Sequence, residues 1–211
     1  MEQEMKYAVS DKKTADMIWE DPEILTMADQ GTRESLVMKA IYFDTPGKDL
    51  ASQNMTMRIR AEGERYVATL KWAGSSSNGF HEREEINIPI NEDISFIKPS
   101  AKVFSASEEG KKLLEFIGDQ QLDNLMEMRF LRRRMRLNYK ASIIELALDS
   151  GSIVSDFGEY PIMEMELELY AGDVSAVLQL GEKLASKYSL VPEDRSKFAR
   201  GLSFIENHGR I

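Results

Sequence analysis

With 211 residues, 42% of them hydrophobic and 30% charged, the chain has the composition of a globular protein able to bury one substantial core, which excludes disordered and fibrous classes. A formal net charge of −9 argues against broad nucleic-acid binding, a mode that needs a basic surface to displace counterions from phosphates, and leaves the decision to how the charges are arranged. Zero cysteines exclude disulfides, thiolate catalysis and cysteine-ligated metals, and two histidines, His81 and His208, leave little for a histidine-rich metal site; any metal is held mainly by carboxylates, which favours hard ions such as magnesium or manganese.

In chain order, EQEMKYAV alternates with period two as a strand does, and SDKKTADMIWED follows as a short amphipathic helix capped by Ser10 or Asp11. ESLVMKAIYFDT, MTMRIRAEG, RYVATLKWAG and FHEREEINIPI are then predicted as four strands in meander order, each bounded by Gly, Pro, Ser or Asn, with SSSNG at 75–79 as a hairpin loop. From about Asp93 to Met126 the spacing turns helical, in ASEEGKKLLEFIG and again in QQLDNLMEM. Strands resume with MRFLRRRMRLNY, ASIIELALDSG, GSIVSDF and PIMEMELELYAG, and two helices close the chain, DVSAVLQLGEKLASKYS and RSKFARGLSFIEN. The methionines are expected to pack helices on the outside of the sheet. No repeat or linker divides the chain, so residues 1–211 are read as one domain. No apolar run approaches the roughly 20 residues of a bilayer span, and MEQEMK lacks the basic and apolar regions of a signal peptide; the expected location is the cytoplasm, with no membrane partner.

Residues two apart on a strand share a face, and here one face is charged. Glu2, Glu4 and Lys6 align, as do Arg58 and Arg60, Thr69 and Lys71, Arg83 and Glu85, Arg132, Arg134 and Arg136, Glu145 and Asp149, and Glu164, Glu166 and Glu168, with apolar residues opposite. A solvated sheet face mixes its signs, whereas here the Glu-x-Glu and Glu-x-Glu-x-Glu strands are nearly all acid and the Arg-x-Arg and Arg-x-Arg-x-Arg strands nearly all base, and like charges side by side need an opposite ion or ligand. Closed into a barrel with this face inward, the carboxylates supply oxygen ligands for a divalent cation and the Arg and Lys rows supply donors for phosphate oxygens. A slip of one residue in LRRRMR (131–136) would turn Arg133 inward in place of Arg132 and Arg134. His81 is given no role.

Taken together, Glu2-x-Glu4-x-Lys6, YFDTP (42–46), MRIR (57–60), TLK (69–71), EREE (82–85), IELALDSG (144–151), EMELEL (164–169) and SKFARG (196–201) resemble, in order, the CYTH family, also called triphosphate tunnel metalloenzymes. The resemblance implies a mainly β (α+β) fold, a closed eight-stranded antiparallel β-barrel tunnel with peripheral helices, acting on a small-molecule triphosphate with Mg2+ or Mn2+; whether as a monomer or homodimer is left open. It implies Glu2, Glu4, Asp149, Glu164 and Glu166 as metal ligands. Lys6, Arg58, Arg60, Lys71, Arg83, Arg132, Arg134, Lys197 and Arg200 are implied as the phosphate clamp, and Glu2, Glu4, Lys6 and Glu85 as the catalytic set. Hydrolysis of inorganic triphosphate leads, the many clamp positions suiting a ligand charged along its length; a class IV adenylate cyclase, a thiamine triphosphatase (with Trp72 or Tyr42 as stacking candidates) and a non-catalytic polyphosphate-binding module are the alternatives.

Overall fold

The computed structural model describes residues 1–91, 96 and 98–208. Its elements run β1 (Glu2–Ala8), α1 (Lys12–Trp19), α2 (Pro22–Met27), β2 (Ala28–Asp44), α3 (Asp49–Ser52), β3 (Thr56–Glu62), β4 (Arg65–Ser77), β5 (Phe80–Ile90), a 3₁₀ turn (Ala101–Phe104), α4 (Glu108–Ile117), β6 (Asp123–Tyr139), β7 (Ser142–Ser155), β8 (Gly158–Ala171), α5 (Val174–Tyr188), β9 (Val191–Pro192) and α6 (Lys197–His208). The strands pair in the order β5-β4-β3-β2-β6-β7-β8-β1, and β5 returns to β1, so eight antiparallel strands close on themselves. Closure removes the sheet edges that would otherwise template aggregation. The short β9 covers the last residues of β1, Tyr7 and Ala8, where β5 no longer reaches.

Alternation puts the apolar residues of each strand outward beneath helices. Met5 and Tyr7 of β1, Met135 and Leu137 of β6, Leu146 of β7 and Met165 of β8 lie under α1, α2 and α5. Ile41, Phe43, Met57, Ile59 and Leu70 lie under the 3₁₀ turn and α4. A third cluster sits inside the barrel. Met38, Ala40, Tyr42, Met126, Met128, Phe130, Ile153 and Ile162 point inward and pack on Phe198, Leu202 and Ile205 of α6, so this helix fills one end of the bore. Gly201 permits the approach, because a Cβ there would collide with the Met126 sulfur. Three of the methionines therefore plug the barrel from within, against the expectation that all pack outside it.

Several boundaries differ from expectation. QQLDNLMEM is not helical: β6 begins at Asp123, and Met126 and Met128 alternate inward opposite Tyr42 and Ala40 of β2, so strand pairing overrides local helical spacing. The Asp93 end of that predicted helical segment lies outside the described residues. ASIIELALDSG and GSIVSDF form the single strand β7, with Gly151 in its interior where β7 passes so close to Phe130 and the Arg129 carbonyl that a Cβ would not fit. The 75–79 loop contracts to Asn78-Gly79, both left-handed (φ 51° and 80°), the pattern of a tight two-residue hairpin, and the serines extend β4.

Candidate active site

The bore is a cavity of about 310 Å3. Strand register stacks its charged residues in rungs. The innermost joins Arg132, Asp149 and Glu164; the next, Arg134, Ala147, Glu166 and Lys6; the outermost, Arg136, Glu145, Glu168 and Glu4. Glu2 lies two residues further out on β1, beside Arg83 of β5. Arg133 faces outward and its Nη1 donates to Asp16 at 2.7 Å, so Arg132 and Arg134 are the inward pair.

The innermost rung is electrically matched. Arg132 grips Asp149 with two bonds, Nε at 2.8 Å and Nη2 at 2.7 Å, and also donates to Glu166 at 2.6 Å. Lys197, at the start of α6, places Nζ 2.7 Å from Asp149, donates to Glu166 at 2.9 Å and contacts Glu164, which Arg200 one turn later also contacts. Carboxylate oxygens of Asp149, Glu164 and Glu166 lie within 4.8 Å of one another, a spacing a cation can bridge, and an ammonium already stands among them. Burial raises the Glu166 pKa, but Lys197 and Arg132 outweigh it and hold that carboxyl well below its usual range; burial leaves Glu164 raised.

The outer rung is not matched. Glu168 has no ion-pair partner among the described residues, and burial together with Glu2, Glu4, Glu85 and Glu145 pushes its pKa to about 8. Glu4 is bonded by Lys6 at 2.9 Å, while Lys71 joins Glu2 and reaches Glu85 at 2.8 Å. Excess carboxylate charge of this kind fits a hard divalent cation. A consequence can be measured. In a chelator, folded protein holds a proton on Glu168 that the unfolded chain loses above its ordinary value of 4.5. Stability should therefore fall as pH rises from about 4.5 to about 8, by on the order of 1 kcal/mol per pH unit, then level off. Thermal melts across that range with EDTA should show the decline, and added Mg2+ should flatten it; a flat EDTA profile would contradict the environment described for Glu168.

Facing these acids, Arg58 and Arg60 are enclosed, and the Nε of each donates to nothing. Arg60 is drawn down to about 10 by burial and by neighbouring Arg58. Arg58 Nη1 reaches the Tyr42 hydroxyl at 3.4 Å; burial raises that phenol, and Arg58 together with Lys71 and Lys197 more than reverses it, so Tyr42 ends below its ordinary value. Arg83 makes no ion pair among the described residues and lies across Gly74, in the notch of a β4 irregularity between Trp72 and Ser75. Unpaired buried guanidinium donors are costly unless an anion receives them.

Of the residues singled out in the sequence, Glu2, Glu4, Lys6, Arg58, Arg60, Lys71, Arg83, Glu85, Arg132, Arg134, Glu166 and Lys197 line this one cavity. Asp149, Glu164 and Arg200 do not; they are buried behind it in the network around Lys197. Glu168, on the charged face that the alternation assigns but outside the ligand set that the resemblance implies, lines the cavity as well. Tyr42 lines the bore and tilts against Phe198 at 5.2 Å, and Trp72 lies outside the cavity lining. His81 lines the cavity too, its Nε2 2.8 Å from the Glu193 carbonyl oxygen.

A closed antiparallel barrel whose bore is lined by both acidic and basic side chains is the architecture that the fold and the cavity define. The chain belongs to the CYTH domain family, whose pattern matches residues 1–202. It is 30% identical over 198 residues to an inorganic triphosphatase of Haemophilus influenzae, an alignment covering 94% of this chain and 53% of that protein, so the chain spans about half the length of that curated relative. Its fold resembles that of the Hippeastrum protein HpAC1, described as an adenylyl cyclase with dominant triphosphatase activity (TM-score 0.73, 22% identity, 97% and 96% of the two chains covered). A Bacillus halodurans protein assigned as an adenylate cyclase is also similar (TM-score 0.58, 20% identity, 95% and 98% covered). No helix among the described residues is long and apolar enough to cross a membrane.

Proposed function

We propose that this protein is a metal-dependent hydrolase of inorganic triphosphate, acting in the cytoplasm as a monomer or homodimer, with residues 1–211 as one domain. The observation that carries the reading is one closed bore in which the Nε groups of enclosed Arg58 and Arg60 donate to nothing while Glu168, among the acids around Glu2 and Glu4, has no ion-pair partner among the described residues. The naming of the Haemophilus relative as an inorganic triphosphatase and the triphosphatase activity described for HpAC1 support it.

In this reading Glu2, Glu4 and Glu168 hold the cation, with Glu166 adjoining, while Asp149 and Glu164 anchor Lys197 and Arg132. Bound Mg2+ or Mn2+ supplies Lewis-acid charge and acidifies coordinated water. The chain's own residues do the rest. Arg58, Arg60, Lys71, Arg132 and Arg134 clamp phosphoryl oxygens and neutralise the charge that spreads over them as water attacks a terminal phosphorus and pyrophosphate leaves. Lys6, bonded to Glu4, sits between clamp and carboxylates, and its pKa is raised: burial lowers it, but Glu4 and Glu166 outweigh that, so it stays cationic. Glu85, held ionised by Lys71 against the opposing effect of burial, accepts a proton from the attacking water.

The test is to offer inorganic triphosphate, thiamine triphosphate and ATP separately with Mg2+ or Mn2+, following phosphate, pyrophosphate and cyclic AMP. Fastest phosphate release from inorganic triphosphate is expected. Cyclic AMP from ATP would make the protein a cyclase, and tight binding without turnover would make it a binding module.

A further inference from the structure

We infer that Gly74 is a positioning residue: it gives the Arg83 guanidinium a seat against the β4 backbone, where that cation stays free for an anion. This rests on the triphosphatase reading and names what sets one cation of the bore. Trp72 pairs with Glu84 and Ser75 with Glu82, so Ala73 and Gly74 stand together opposite Arg83 alone, as a β-bulge. Bulges re-aim side chains next to active sites. Ala73 takes the strained left-handed conformation (φ 47°), where glycine would be at ease, yet the glycine is the next residue, whose own φ is not left-handed. Backbone conformation therefore does not account for a glycine at 74. Arg83 does: a Cβ there would lie 2.9 Å from Nη2 and 3.0 Å from Cζ and would collide with Nε.

The seat matters because the carboxylates around Arg83 are engaged elsewhere. Lys71 joins Glu2, the cross-strand partner of Arg83, and reaches Glu85 at 2.8 Å; Gln3 donates to Glu82 at 2.6 Å, and the N-terminal ammonium lies 3.5 Å from Glu84. Arg83 lines the cavity with neither an ion pair nor a side-chain hydrogen bond among the described residues. A guanidinium held in place with its fork of donors uncommitted loses little freedom when phosphoryl oxygens arrive.

Gly74→Ala tests this, because the atoms in the way of its methyl group are the far end of a flexible side chain. The backbone suits alanine there, so the melting temperature should hold or rise slightly. Wild type, Gly74→Ala, Arg83→Met and the double variant are compared by steady-state hydrolysis of inorganic triphosphate and by calorimetric binding of diimidotriphosphate, its hydrolysis-resistant analogue, both with Mg2+. Gly74→Ala should weaken binding and raise KM roughly tenfold with kcat within about twofold, the pattern of an interaction alike in ground and transition states. In the Arg83→Met background the same substitution should add less than about twofold, because both changes act through one guanidinium. Unchanged affinity in Gly74→Ala, or an equal loss with and without Arg83, overturns the assignment. If the analogue binds but triphosphate is not turned over, the hydrolase reading falls while the four affinities still decide the role of Gly74. If wild type binds neither, the bore is not an anion site and both fall.

Discussion

Glu4→Gln should lower the rate of triphosphate hydrolysis by roughly 10²- to 10³-fold and raise the metal concentration needed for half-maximal activity, with the fold intact. A bound cation contributes several kcal/mol of charge stabilisation, and each 1.36 kcal/mol is tenfold in rate, so weakening its ligand set has an effect of about that order. Folding should survive because glutamine keeps an oxygen to accept the Lys6 bond that Glu4 now receives at 2.9 Å. The substitution also removes one of the charges that raise Glu168, so in EDTA the variant should melt at or above the wild-type temperature. Steady-state rates against Mg2+ concentration, with melts in chelator, measure both. A rate within about tenfold of wild type and an unchanged metal requirement would remove Glu4 from the proposed ligands.

Lys197→Met should destabilise the fold by about 3–5 kcal/mol, the usual cost of stripping one partner from a buried charge network. The side chain is 9% exposed, and its ammonium is shared among Asp149, Glu164 and Glu166. Methionine fills similar space, so the loss isolates the charge. The penalty should shrink toward low pH, because carboxylates left without their cation can then be protonated, and Glu164 is already raised by burial. A second substitution, Glu164→Gln, should restore part of the loss. Urea midpoints for the two variants at mildly acidic and neutral pH provide the check; a penalty below about 1 kcal/mol would mean that Lys197 does not hold α6 in the barrel.

Much of the site was legible because strands make it so. Period-two alternation assigns every residue of β1, β3, β6, β7 and β8 to one face, and segregated signs on that face, Arg58 with Arg60 and Glu164 with Glu166, announced an enclosed site rather than a solvated one. Even the ambiguous arginine run resolved as the alternation reads, with Arg133 outside on Asp16. Local spacing was less reliable where pairing competes with it. QQLDNLMEM has helical spacing, yet β2 offers Met126 and Met128 partners in register, and the ladder outweighs propensity.

The sequence by itself determined which side chains face the bore and how their charges alternate along each strand, because those are properties of residues two apart. Only the tertiary structure decided which charges cancel. Arg132 reaches Asp149 across 17 positions and Lys197 reaches Glu164 across 33, so the acids that look alike in the sequence divide into a satisfied set at the plug and an unsatisfied set around Glu168. The methionines likewise divide between outer wall and inner plug by where α6 docks. Coulomb energy depends on distance and burial, and both are set by closure of the barrel.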